Sequence, residues 1–127
     1  MILVGFSRGA IACNFVGLHD DEIAKLWRAF VPYSHYDGVV TSWGYPHADR
    51  ASALDRLKRL GDRPQFICAE SGGRASVEAT RKYLESTGID APFTFQDIGF
   101  RNHNDAWVLR PSPARDALRA RLADVVK

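Results

Sequence analysis

Three residue types in this chain could together do covalent chemistry: Ser7, His103 and a carboxylate lying between them in the sequence. Ser7 stands in Gly5-Phe6-Ser7-Arg8-Gly9, directly after the apolar run Ile2-Leu3-Val4 and before a segment of helical spacing. Such a pattern describes a strand that turns sharply into a helix and holds a serine hydroxyl exposed at the tip. Gly5 and Gly9 are expected where a side chain would strike the neighbouring element. A serine hydroxyl is a weak nucleophile until a base takes its proton and a carboxylate orients the base. His103 can serve as the base. Glu70 is the first choice for the carboxylate and Asp37 the alternative, so either choice gives the order Ser, acid, His. The backbone amide of Arg8, next after the serine, can donate to an oxyanion. The chemistry these groups suggest is acyl transfer.

The elements that must position them follow from the patterning. Ile2 to Phe6 is a short apolar run without alternation, as in a strand buried on both faces. Arg8 to Leu18 places Ile11, Phe15 and Leu18 at helical spacing. Asp20 can cap a second helix carrying Ile23, Leu26, Trp27 and Phe30, and near Arg28 this pattern gives way to a second strand, Ala29 to Ser34. Pro32 is awkward in a central strand. His35 to His47 reads as a loop and Asp49 to Leu60 as a helix stopped by Gly61. Gln65 to Glu70 is a third strand, followed by a flexible turn over Ser71-Gly72-Gly73-Arg74-Ala75. Ser76 caps a helix to about Thr87, Phe93 to Ile98 is a fourth strand, a short helical piece surrounds Trp107, and Ser112-Pro113 opens the last helix. Strands alternating with helices predict an α/β fold with a parallel sheet and right-handed crossovers. In such sheets functional groups gather at the C-terminal strand ends, here Ser7, then His35 and Asp37, then Glu70, then His103.

Bulk composition narrows the classes. The 127 residues fit one domain, with 46% hydrophobic and 25% charged residues and a net charge of +2. Basic and acidic residues are interspersed, which does not suggest a nucleic-acid partner. No apolar run reaches bilayer length, and Ile2 to Val4 is too short for a signal peptide. Cys13 and Cys68 each lie in an apolar run and read as buried thiols, which fits a reducing, cytoplasmic setting. Tyr36, Trp43, Tyr45 and Trp107 are candidates for a substrate pocket, with packing as their alternative use. His35, Asp37 and His47 match no metal-site spacing, and neither a metal nor an organic cofactor is expected.

The chain resembles the α/β-hydrolase family. Gly5-Phe6-Ser7-Arg8-Gly9 looks like that family's nucleophile elbow after its fifth strand, and Phe93 to Trp107, with His103, looks like its histidine loop. The likeness spans essentially the whole chain but only the C-terminal half of a typical member. It implies a partial α/β-hydrolase fold of about four parallel strands with flanking helices, and a serine hydrolase of the carboxylic-ester type. It also implies that Glu70 stands where the family's usual Asp is missing, that Asp37 stands at an alternative acid position, and that no residue matches the second oxyanion donor. Ile2 to Gly5 would then be an exposed edge strand. That edge invites self-association or pairing with a missing N-terminal half. The chain is accordingly expected to be a fragment of reduced stability. The competing expectation is a catalytically inactive fragment serving only as a binding or assembly half. A flavodoxin-like binding domain is less favoured, because a serine between glycines is a poor phosphate loop.

Overall fold

The computed structural model describes residues 1–71 and 76–127. Four strands, β1 (Ile2–Phe6), β2 (Ala29–Tyr33), β3 (Gln65–Ala69) and β4 (Phe93–Asp97), form one sheet in the order β1-β2-β3-β4, and every pairing is parallel. The helices are α1 (Arg8–Phe15), α2 (Asp21–Ala24), α3 (Arg50–Leu57), α4 (Val77–Thr87) and α5 (Pro113–Val126), with a 3-10 turn at Ala106–Leu109. This is the α/β arrangement expected from the alternation of patterns. Among the described residues no helix is long and apolar enough to cross a membrane.

Strand order dictates where the helices go. Each crossover steps to the next strand in the same direction, so right-handed connections must place α1 to α4 on one face. On that face Cys13, Leu18, Leu57, Leu60, Tyr83 and Leu84 pack against Phe30 and Ile67. α5 follows the last strand and covers the other face, where Ala114, Leu118 and Trp107 meet Val31, Tyr33, Phe66 and Cys68. All five residues of β2 and of β3 are buried, which explains why both are apolar except for Gln65, whose side-chain amide accepts from Tyr36 and donates to Asn14. Cys13 and Cys68 are free and lie on opposite faces, so the sheet itself keeps them from bridging. Burial pushes the Cys13 thiol up to about 12.

Local signals set most boundaries. Asp20, Asp49, Ser76 and Ser112 each accept a hydrogen bond from the amide three residues on, capping α2, α3, α4 and α5. Gly88 ends α4 in the left-handed conformation at φ 68°. The second helix is shorter than the spacing of Ile23, Leu26, Trp27 and Phe30 predicts. It stops at Ala24, leaves Leu26 50% exposed, and hands Phe30 to the sheet core. Beyond Ala24 the Leu26 and Trp27 amides donate to the carbonyls of Ile23 and Ala24, three residues back, so the helix gives way to a turn before the strand.

Pro32 lies inside β2, between β1 and β3. Its nitrogen faces β3, because the flanking Phe30 amide donates to the Pro64 carbonyl at 3.0 Å and the Ser34 amide to the Cys68 carbonyl at 2.9 Å. The Phe66 carbonyl therefore lacks a ladder donor, and the Cys68 thiol stands 3.8 Å from it instead. β1 is an edge strand, with Val4 63% exposed.

Candidate active site

The site is assembled at the C-terminal ends of β1, β2, β3 and β4. At the end of β1 the Ser7 amide still donates to the Tyr33 carbonyl, at 2.9 Å, while the residue itself takes φ 60°, ψ −120°. Non-glycine residues rarely adopt this conformation, and it costs about 1–3 kcal/mol. It turns the chain from strand to helix within one residue and leaves the hydroxyl outside both. Gly5 makes the turn possible, since a Cβ there would lie 1.9 Å from the Gly9 carbonyl oxygen. Gly9 departs from expectation: a Cβ built there meets nothing within 4 Å. The crowding is one-sided because the helix start lies over the strand, whereas the Cβ direction of Gly9 points into open space.

His103 reaches Ser7 from 96 positions along the chain, with Nε2 3.0 Å from Oγ. Its Nδ1 is 2.8 Å from Glu70 Oε1. An ionised carboxylate can only accept, so the proton belongs on Nδ1 and leaves Nε2 as acceptor for the Ser7 hydroxyl. The loop carrying His103 is tied down from below. The Tyr33 hydroxyl donates to the Asn104 carbonyl at 2.8 Å, and the Phe6 ring lies against the imidazole at 4.9 Å. The Ser71 amide donates to the Phe100 carbonyl, and Asp97 accepts from both the Ser71 hydroxyl and the Gly99 amide. These bonds join the segment after β3 to the segment after β4 and so bring Glu70 beside His103. Residues 72–75, most of the expected glycine-rich turn, lie outside the described residues.

Burial acts to raise the Glu70 carboxyl. Hydrogen bonds from His103, its own backbone amide and Ser34, with the charge of His103, outweigh burial and hold it below the ordinary carboxylate value. Ser34 was not singled out from the sequence. It ends β2, is buried, and adopts φ 87°. Its hydroxyl donates to Glu70 Oε1 at 2.8 Å and stands 3.0 Å from His103 Nδ1. The only signal available was its place at a strand end, because nothing in a serine announces a left-handed backbone.

The other candidates divide. Asp37, the alternative acid, is turned away: its carboxylate is buried and takes two bonds from Arg56, Nε at 2.7 Å and Nη2 at 3.0 Å. Arg56 Nη2 also reaches the His47 carbonyl, so the pair ties the loop to α3. Burial raises the Asp37 carboxyl, against the opposing pull of Arg56. Tyr36 and Trp107 belong to the core, each 2% exposed; the Tyr36 hydroxyl donates to Gln65 Oε1, and Trp107 packs against Tyr33. Neither lines a pocket with Ser7, although Trp107 lines a small one with Phe100, Asn102, Asn104 and Arg110, on the segment that carries His103. Trp43 lies under the Arg8 guanidinium and edge-on to His35, and Tyr45 lines a cleft with Arg8, Ile11, Ala12 and Phe15. The Arg8 amide is the first of α1 and so has no acceptor within the helix. His35, Asp37 and His47 are not gathered, and among the described residues no three His, Cys, Asp or Glu side chains are placed to hold a metal ion. A roomier cleft of about 250 Å³ lies at the opposite end of the sheet, between the starts of β2 to β4 and α5, and holds none of the candidate residues.

No family model matches this chain, and neither a curated protein nor a solved structure does.

Proposed function

We propose that the protein is a serine hydrolase of the carboxylic-ester type, with a partial α/β-hydrolase fold. The observation that carries this reading is the unbroken line Ser7 Oγ, His103 Nε2, His103 Nδ1, Glu70 Oε1, with links of 3.0 Å and 2.8 Å. The backbone strain at Ser7 supports it, since a residue held in a costly conformation at a strand end points to a function for its side chain.

In this reading His103 Nε2 takes the Ser7 proton as Oγ bonds to the ester carbonyl carbon, and the carbonyl electron pair moves to oxygen. The Arg8 amide donates to that oxyanion. The intermediate collapses, the bond to the alcohol oxygen breaks, and His103 returns the proton to the departing alcohol. Water then attacks the acyl-Ser7 carbonyl, gives a proton to His103, and releases the acid as the proton returns to Ser7. Glu70 holds the imidazole in the required tautomer and balances its transient charge.

Treatment with a fluorophosphonate probe tests the reading. Stoichiometric labelling that is lost in Ser7→Ala and strongly slowed in His103→Ala is the expected result. Absence of labelling, with no turnover of p-nitrophenyl esters, overturns it in favour of a catalytically silent binding or assembly half.

A further inference from the structure

The side chain of Arg8 is the part of the site that this chemistry leaves unused. Arg8 follows Ser7 directly and is exposed. Its Cζ lies 5.3 Å from the centre of the Trp43 ring. Trp43 meets His35 edge-on at 5.3 Å, and His35 meets His103 at 6.1 Å. A cation–π contact and two edge-on ring contacts thus link the guanidinium to the imidazole through Trp43 and His35. Other arginines of this region are already engaged: Arg50 donates to the Gly38 carbonyl, Arg56 to Asp37, and Arg59 to the Leu18 carbonyl. Among the described residues, no carboxylate or carbonyl meets the Arg8 guanidinium. Beside it Ile11, Ala12, Phe15 and Tyr45 wall a cleft of about 140 Å³.

A guanidinium laid on an aromatic face keeps the N–H groups of its edge free, and that planar fork matches a carboxylate through two parallel bonds. The apolar walls next to it suit a hydrocarbon or aromatic body. We propose that Arg8 is a specificity residue and that the ester cleaved at Ser7 carries a carboxylate, paired with Arg8, beside an apolar portion lodged in the cleft. This inference rests on the hydrolase reading above for its reaction, but its binding half can be tested apart from turnover.

Two pairs of esters test it, the members of each pair sharing one reacting skeleton and differing in the presence of a carboxylate. One pair is p-nitrophenyl hemiglutarate against p-nitrophenyl valerate, with the carboxylate on the acyl side. The other is 4-carboxyphenyl butyrate against phenyl butyrate, with the carboxylate on the alcohol side. The expected result is a preference of about tenfold or more in kcat/KM for the anionic member of one pair. That ratio falls towards one in Arg8→Gln, and in the unaltered protein it falls as salt is raised. The pair that shows the preference identifies the side of the ester that faces Arg8. Equal rates in both pairs, preference for the neutral esters, or a ratio that survives Arg8→Gln overturns the proposal. A titration with 5-phenylvalerate, followed by tryptophan fluorescence, reads binding alone. The expected result is a saturable change that is absent in Arg8→Gln and in Trp43→Phe. If Ser7 proves unreactive to fluorophosphonate, the hydrolase reading fails, and this titration decides whether the anion site stands. A flat titration, or one unchanged in Arg8→Gln, then removes the anion site as well.

Discussion

Ser34 donates its hydroxyl to Glu70 at 2.8 Å from a backbone held at φ 87°. The same oxygen lies 3.0 Å from His103 Nδ1, so Ser34 braces the carboxylate and the imidazole against each other. The hydrogen bond and the backbone strain can be separated by substitution. Ser34→Ala and Ser34→Gly both remove the bond, but glycine tolerates positive φ. Both variants are expected to slow fluorophosphonate labelling about tenfold, the scale of one hydrogen bond to a charged group. Ser34→Gly is expected to be more stable than Ser34→Ala by about 1 kcal/mol. Labelling at the original rate in both variants would remove Ser34 from the positioning network.

The positive φ of Ser7 and its hydroxyl can be separated by substitution. Ser7→Gly is expected to abolish labelling and at the same time to stabilise the fold by about 1–3 kcal/mol, as the φ 60° penalty disappears. Ser7→Ala abolishes labelling without that gain. Denaturant melts of the two variants compare them directly, and equal midpoints would show that the elbow is unstrained.

The two acids are expected to fail in opposite ways. Asp37→Asn leaves Arg56 buried without its charge partner and costs about 3–5 kcal/mol of stability. Measured below its own melting point, it labels at the original rate. Glu70→Gln keeps most of the stability but slows labelling by about 10³–10⁴, because the imidazole loses its tautomer and its counter-charge. The reverse pattern would make Asp37 the acid.

Glu70 also gives a pH signature. Its carboxyl is held below its ordinary 4.5 in the folded chain, so the folded state binds fewer protons there than the unfolded state. The stabilisation is complete above that ordinary value and is lost as pH falls through the lowered folded value. The melting-temperature gap between the unaltered protein and Glu70→Gln is therefore expected to narrow on acidification from neutral pH. A gap constant with pH would show that Glu70 makes no such contribution.

The two elbow glycines differ in what they tolerate. Gly5→Ala forces a Cβ to within 1.9 Å of the Gly9 carbonyl and is expected to cost more than about 3 kcal/mol or to prevent folding. Gly9→Ala finds open space and is expected to be neutral or to stabilise by up to about 1 kcal/mol. Circular dichroism melts of the two variants settle the comparison.

Much of this architecture was legible in the sequence, because it depends on neighbours close along the chain. The runs at Ile2, Ala29 and Gln65 and the alternating Phe93-Thr94-Phe95-Gln96 mark strands; β2 and β3 are buried throughout, whereas β1 and β4, at the sheet edges, are only part-buried. Asp20, Asp49, Ser76 and Ser112 mark helix starts, because a capping side chain bonds an amide only three residues away. Gly-x-Ser-x-Gly between a strand and a helix marks the turn at Ser7 for the same local reason.

What the folded chain decided lies between segments far apart in sequence. Asp37 and Glu70 are equally carboxylates on paper, and only the packing of α3 gives Asp37 to Arg56 and leaves Glu70 to His103. Tyr36 and Trp107 could not be told from Trp43 and Tyr45 by type, since an aromatic ring suits a core as well as a cleft. The strand from Ala29 stands where the pattern put it, but the helix before it ends at Ala24, because Leu26 and Trp27 keep helical spacing while their amides bond carbonyls only three residues back. Ser34 was hidden because its role rests on a backbone angle and on two partners, 36 and 69 residues away. Through-space contacts of that kind leave no periodic trace in the sequence.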